Sequence, residues 1–99
     1  MNICKVIGNV VCTQKTEVLI GNKLLIVRPV NPETLELEGK EEIAVDSVGA
    51  GVGEYVMTVG GSSARLAKGF DKSPVDRSII GIVDEIQVMA KITYSKYQK

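Results

Sequence analysis

The chain has 99 residues, a formal net charge of zero and a hydrophobic content of 44%, as expected for a single soluble domain spanning residues 1–99. It contains no His, no Trp and one Phe, which excludes Ser-His-Asp and Cys-His catalytic systems, His-ligated metal sites and most base-stacking platforms. The balanced charge disfavours a protein that mainly binds a phosphate backbone.

Charge is also spread along the chain. No stretch of about 18 residues lacks a charged side chain, so we predict no membrane span and no membrane partner. Lys5 lies inside the first apolar run, which argues against a secretory signal peptide.

Five stretches rich in β-branched and apolar residues are predicted as strands. Gly8 stands in the middle of the first, where glycine commonly marks a bulge or a bend of a barrel strand. Pro29 stands near the end of the second, and since proline cannot donate to a ladder, we predict an edge or a bulge at the end of this strand. The last is predicted as one long strand. The predicted strands cover residues 2–13, 23–30, 42–48, 54–59 and 79–92.

The segments between these strands are polar or rich in glycine. Residues 31–42 include five Glu and are predicted as a solvent-exposed excursion. Residues 62–68 are predicted as a short helix, capped by Ser62 or Ser63. The tail, residues 91–99, is predicted as a solvated end. The pattern indicates an all-β fold with one short helix, of the size of a five-stranded OB-like barrel.

The two cysteines, Cys4 and Cys12, fall on the first predicted strand. Eight strand residues separate them by about 26 Å, which no disulfide can bridge. Both share a parity with Val6, so we predict two buried free thiols. Such thiols are typical of a reducing, cytoplasmic compartment.

A glycine-rich segment, residues 48–54, resembles a phosphate-binding loop only superficially. It carries Gly49, Gly51 and Gly53, but a strand rather than a helix is predicted to follow, so phosphate would meet no helix N-terminus. The favoured interpretation is a tight glycine turn packed against another backbone.

Two further features leave alternatives open. Residues 60–65 lead through Ser62 and Ser63 to Arg65, and this pattern could bind an anion, cap its own helix, or place Arg65 on a carboxylate within or across subunits. Asp84 shares a parity with Ile82 and Ile86. A carboxylate on an apolar face should be hydrogen-bonded or ion-paired, inside the barrel or at an interface.

Four motif blocks cover nearly the whole chain. They read Gly8-x-Val10-x-x-Thr13-x-Lys15 with Leu19-x-Gly21-x-Lys23-Leu24-Leu25; Asp46-x-Val48-Gly49-Ala50-Gly51-x-Gly53-Glu54; Gly61-Ser62-Ser63-Ala64-Arg65 with Pro74-x-Asp76; and Gly81-Ile82-Val83-Asp84. In this order the blocks resemble the EutN/CcmL family, the vertex proteins of bacterial microcompartment shells.

The resemblance implies an OB-like barrel that assembles as a cyclic pentamer and caps the vertices of a polyhedral shell in the cytoplasm. It implies a structural protein without catalytic activity, metal or cofactor, whose partners are its own copies and hexameric shell proteins rather than nucleic acid. The candidates for the subunit interface or the axial loops are Gly49, Gly51, Gly53, Ser62, Ser63, Arg65, Asp76 and Asp84.

Two other functions stay open on the residues alone. An OB-like barrel could bind single-stranded nucleic acid, although the charge balance and the lack of aromatic residues weigh against it. An enzyme acting on a small anion at residues 60–65 is disfavoured because no general base stands in the same motif.

Overall fold

The computed structural model describes residues 1–12, 23–60 and 77–97. Five strands close a barrel in the order β1-β2-β3-β5-β4, and the last two form a separate two-stranded sheet. The strands are β1 (Asn2–Val10), β2 (Lys23–Pro29), β3 (Glu42–Asp46), β4 (Tyr55–Gly60), β5 (Arg77–Ile82), β6 (Glu85–Val88) and β7 (Lys91–Ser95). The predicted five-stranded barrel is confirmed.

Four of the five ladders that close the barrel are antiparallel, and β3 pairs with β5 in parallel. The β1–β2 ladder shifts register between Val6 and Gly8, so the bulge predicted at this glycine is present. The side chain of Ile26 covers Gly8: a Cβ at Gly8 would lie 3.4 Å from Ile26 Cδ1.

The barrel core is built from the inward-facing side chains of all five strands. Strand residues alternate between two faces, so every second residue of β2 points into the barrel. Removing these apolar groups from water drives the closure of the sheet. The main cluster contains Cys4, Val6, Leu25, Val27, Ala44, Ala50, Val56 and Ile79.

The first strand ends earlier than predicted. β1 stops at Val10, so the alternation that buries Cys4 does not extend to Cys12. Cys4 is buried and Cys12 is exposed; the predicted burial is therefore confirmed for Cys4 and wrong for Cys12.

The single long strand predicted over residues 79–92 is wrong. The β4–β5 pairing ends one position beyond the Val56–Ile82 pair, where the Val83 N–H donates to the carbonyl of Tyr55 at 2.8 Å, and the chain bends at Asp84. It then turns again between β6 and β7, where Met89 and Ala90 adopt left-handed φ angles of 51° and 66°. A bend and a hairpin turn thus divide one alternating run into three strands.

The β6–β7 hairpin packs on a second, smaller core at one end of the barrel, formed with Val30, Tyr55, Val83 and Ile86. The rings of Tyr55 and Tyr94 are in tilted contact, with centroids 4.5 Å apart and an interplanar angle of 57°. Residues 91–95 are therefore a packed strand, and the prediction that the tail is only a solvated end is wrong for them.

The acidic excursion is largely exposed, as predicted. Asn31 Oδ1 accepts the N–H groups of Glu33 and Thr34 and so begins a turn. The predicted helix over 62–68 and the connection over 14–22 lie outside the described residues. Within 1–12, 23–60 and 77–97 no helix is long and apolar enough to cross a membrane.

Candidate functional site

The glycine loop between β3 and β4, residues 47–54, is organised by one buried carboxylate. Asp46 is the last residue of β3, and its side chain is fully buried. Its Oδ1 accepts the N–H of Val48 at 3.1 Å, and its Oδ2 accepts the N–H of Ala50 at 2.8 Å. A buried charge requires such partners, and these bonds end the strand and curl the loop around the carboxylate.

Lys23 completes this arrangement from the neighbouring strand. It is the Cα partner of Asp46 in the β2–β3 ladder, which places its Nζ 3.5 Å from Asp46 Oδ2. The same ammonium donates to the carbonyl of Ala50. Lys23 thus neutralises the carboxylate and ties the loop to β2.

The glycines allow the loop to lie against β1. Gly49 and Gly53 have φ angles of 90° and 94°, a region that a residue with a Cβ occupies only at a cost. The Gly53 N–H donates to the carbonyl of Val6 at 2.8 Å, and the Val6 N–H donates to the carbonyl of Glu54 at 2.9 Å. The predicted glycine turn packed against another backbone is confirmed.

Glu54 and Lys96 connect the loop to the C-terminal hairpin. Glu54 Oε1 accepts the N–H of Gly51 at 2.7 Å, and Lys96 Nζ lies 3.3 Å from Glu54 Oε2 and 3.8 Å from Asp84 Oδ1. The bond from Gly51, assisted by Lys96, lowers the pKa of Glu54. The bond to Glu54, with the charges of Glu54 and Asp84, raises the pKa of Lys96.

A second polar network joins four strands, β1, β3, β4 and β5. Arg77 pairs with Glu42 of β3, and its Nη1 donates to Thr58 Oγ1 at 2.7 Å. Thr58 Oγ1 also lies 3.4 Å from Cys4 Sγ. Burial raises the pKa of the Cys4 thiol, so this cysteine is kept protonated and unreactive.

Four of the eight predicted site residues lie in the part of the chain that the structure describes. Gly49, Gly51 and Gly53 lie together in the loop. Asp84 was expected on an apolar face; instead it lies exposed in the bend between β5 and β6, because the bend breaks the alternation, and it pairs with Lys96. The remaining candidates, Ser62, Ser63, Arg65 and Asp76, lie outside the described residues.

Sequence reasoning missed the residues that organise the loop, Asp46, Lys23 and Lys96. Asp46 stands in the second motif block, and an Asp directly before a glycine-rich turn is a known turn initiator, so this signal was available. Lys23 stands in the first motif block, but nothing local indicates the partner of Lys23 or of Lys96, since these partners are distant along the chain.

Five backbone N–H groups of the loop bond to acceptors of the same subunit, those of Val48, Ala50, Gly51, Gly53 and Glu54. Among residues 1–12, 23–60 and 77–97, no group of three His, Cys, Asp or Glu side chains could hold a metal ion. The hydrogen bonds and ion pairs described above hold the loop of residues 47–54 in one conformation between β3 and β4.

The chain is similar to known proteins over most of its length. The sequence model of the family described as "Ethanolamine utilisation protein EutN/carboxysome" matches residues 1–84. The bacterial microcompartment shell vertex protein EutN of Salmonella typhimurium is 42% identical over 97% of this chain and 96% of its own. The carboxysome shell vertex protein CcmL of Synechocystis is 41% identical over 97% and 95%.

Among solved structures, the GrpN pentameric microcompartment shell protein from Rhodospirillum rubrum is 43% identical, with a TM-score of 0.76 over 89% of this chain and 98% of GrpN. The barrel, the glycine loop and the motif blocks thus occur together in a chain that the family model matches from its first residue to Asp84. The chain belongs to the EutN/CcmL family.

Proposed function

We propose that this protein is a structural shell protein whose pentamers cap the vertices of a bacterial microcompartment in the cytoplasm. The observation that carries the proposal is its similarity, over nearly the full length of both chains, to proteins named as shell vertex proteins. The 43% identity to the pentameric shell protein GrpN supports the ring size.

In this function the protein acts through the geometry of its ring and catalyses no reaction. A heterologous contact repeated about one axis closes into a ring when its rotation divides a full turn, and a sheet of hexagonal tiles closes into a polyhedron only with pentagonal ones. A tile needs a rigid subunit. The closed barrel removes free strand edges, and the bonds of Asp46, Glu54 and Lys96 hold its loop in one conformation.

Its further partners are hexameric shell proteins, and no cofactor takes part. Within the pentamer, the residues that contribute to subunit contacts or to the loops near the axis are Gly49, Gly51, Gly53, Ser62, Ser63, Arg65, Asp76 and Asp84.

Native mass spectrometry of the purified protein, with light scattering as a check, tests the ring. A species at five times the 10.7 kDa mass of the chain is expected. A monomer that persists at micromolar concentration would overturn the proposal, whereas a hexamer would keep the shell role and exclude the vertex.

Electron microscopy of co-expressed shells tests the vertex role. Hexameric shell proteins expressed with this chain should give closed polyhedra, and the same proteins without it should give open sheets or tubes. Closed polyhedra of the same frequency in both samples would contradict the vertex role. The nucleic-acid alternative predicts salt-dependent micromolar binding of an oligonucleotide at low salt, which we do not expect.

A further inference from the structure

The barrel contains one parallel ladder, between β3 and β5, and this ladder is short. In the part of the chain that the structure describes, it registers two pairs, Val45 with Ser78 and Asp46 with Ile79. Each of the four antiparallel ladders registers four pairs or more. Parallel pairing is also slightly less stable per residue than antiparallel pairing. We call the contact between β3 and β5 the seam of the barrel.

Side chains hold the seam where the ladder does not reach. Residues 42–44 of β3 are registered with β2, and among the described residues none of the three is registered with β5. Arg77, the first residue of β5, pairs here with Glu42, the first residue of β3. The ion pair therefore joins the two strands beyond their backbone ladder. We call the Arg77–Glu42 ion pair the clasp.

The clasp is connected to two further strands. Arg77 Nη1 donates to Thr58 Oγ1 at 2.7 Å, and Thr58 Oγ1 lies 3.4 Å from Cys4 Sγ. Thr58 and Cys4 are completely buried, and the side chain of Arg77 is only 12% exposed. One cation thus links β5 to β3, to β4 and, by way of Thr58, to β1.

A cation with so little exposure to water depends on its partners. Arginine stays protonated in proteins, so Arg77 cannot avoid the cost of burial by losing its charge. Without the carboxylate of Glu42, a neutral hydroxyl would be its remaining acceptor among the contacts described above. This favours a state in which the guanidinium reaches water. Separation of β3 from β5 provides such a state, and it breaks one short ladder while the four antiparallel ladders remain.

We propose that the barrel opens locally at the β3–β5 seam before it unfolds as a whole, and that the clasp keeps this seam closed. In the open state the thiol of Cys4 becomes accessible, because its side chain lies in the barrel core. Opening also frees two strand edges, to which other copies can pair, so the clasp protects the subunit from edge-to-edge association. The residues of the clasp belong to one subunit, and the proposal does not depend on the size of the ring.

Maleimide labelling of Cys4 measures the opening. The chain has two cysteines, and replacing the exposed Cys12 by Ser leaves Cys4 as the single thiol. In this background Glu42→Gln keeps the size of the side chain and removes its charge. The variant should fold, since Glu42 is 43% exposed, and its labelling rate should rise by about tenfold or more because a bond to a charged group is lost.

The neighbouring glutamate provides a matched control. Glu41 Oε1 lies 3.9 Å from Arg28 Nη1, and its side chain is 58% exposed. Such a pair contributes little to stability, and it does not touch the seam. Glu41→Gln should therefore label within about twofold of the parent. Parent-like labelling of Glu42→Gln, or equal acceleration in both variants, would show that the clasp does not control the opening.

A third variant separates opening of the seam from unfolding of the whole subunit. Ile86→Ala removes a buried side chain of the second core, on β6 outside the barrel strands, and should lower the stability measured by urea unfolding. Under the proposal its Cys4 labels within about twofold of the parent, since local opening does not involve this core. If Ile86→Ala accelerated labelling as much as Glu42→Gln, Cys4 would react through global unfolding and the proposal would fail.

Hydrogen exchange followed by mass spectrometry locates the opening along the chain. Peptides from β3 and β5 should exchange faster in Glu42→Gln than in the parent, whereas peptides from the β1–β2 ladder should exchange at the parent rate. The same acceleration in all barrel strands would contradict an opening at the seam.

Discussion

The buried carboxylate of Asp46 accepts the backbone N–H of Ala50 at 2.8 Å, and Ala50 itself is completely buried. This one contact determines where β3 ends and where the glycine loop begins. The loop is therefore held by a buried charge as well as by the apolar packing of Ala50 in the barrel core.

Replacing Asp46 by Ala should destabilise the protein strongly. The N–H of Ala50 would stay buried without an acceptor, and two charge-assisted bonds would be lost, so we expect the free energy of unfolding to fall by about 2–4 kcal/mol. Urea unfolding of the parent and the variant at one fixed subunit concentration measures this change in free energy. Lys23→Met is the control: Lys23 is 55% exposed, and its loss should cost about 1 kcal/mol or less. Equal losses in the two variants would contradict the role of Asp46.

Two of the three loop glycines should be sensitive to alanine, and one should tolerate it. Gly49 and Gly53 have positive φ angles, so an added Cβ should cost about 1–2 kcal/mol at each. At Gly51 an added Cβ would meet only Glu54 Oε1 at 3.6 Å, an ordinary contact, and the cost should be within about 0.5 kcal/mol. Thermal unfolding of the three variants compares them. If Gly51→Ala lost as much as Gly53→Ala, backbone strain would not be the reason.

Glu54 should contribute stability that is lost in acid. Its pKa is lowered in the folded state, mainly by the Gly51 N–H, so the contribution is complete above the ordinary glutamate pKa near 4.5 and disappears as the pH falls through the lowered folded value. Urea unfolding across this range measures the slope. Glu54→Gln should flatten it, whereas Lys96→Met should keep most of it. A parent-like slope in Glu54→Gln would exclude this origin.

The stability that Lys96 contributes should be lost at alkaline pH, whereas that of Glu54 is lost in acid. Its pKa is raised in the folded state, first by its bond to Glu54, so its contribution is complete below the ordinary lysine pKa of 10.5 and is lost as the pH rises through the raised value. Unfolding of Lys96→Met and of the parent at increasing alkaline pH tests this. The difference between the two proteins should shrink as the pH rises, and a constant difference would contradict the prediction.

A glycine in the turn of the β6–β7 hairpin should stabilise the protein. Ala90 adopts a φ angle of 66°, which glycine occupies without a steric cost. Ala90→Gly should therefore raise the free energy of unfolding by about 0.5–1 kcal/mol, measured by urea unfolding. Ala90→Val, with its branched Cβ, should lower it, and the opposite order would show that the turn is not left-handed in solution.

The interior of each barrel strand could be predicted from the sequence, because alternation of apolar residues is a local consequence of strand geometry. The five barrel strands were located in this way, and a glycine in the middle of the first indicated the irregularity at Gly8. That Leu25 and Val27, rather than the other parity of β2, face the core was decided by the closed barrel. The glycine turn was also identified, since a tight approach to another backbone requires residues without a side chain.

The ends of the strands and the partners of the charged residues were decided only by the tertiary structure. Alternation places Asp84 between Ile82 and Ile86, yet the chain bends at Asp84 once the β4–β5 pairing has ended, and Asp84 lies exposed and pairs with Lys96. Hydrogen bonds and ion pairs between distant residues set these positions. Such contacts exist only after the barrel has closed, because the partners are far apart along the chain and nothing in their local sequence marks them as neighbours.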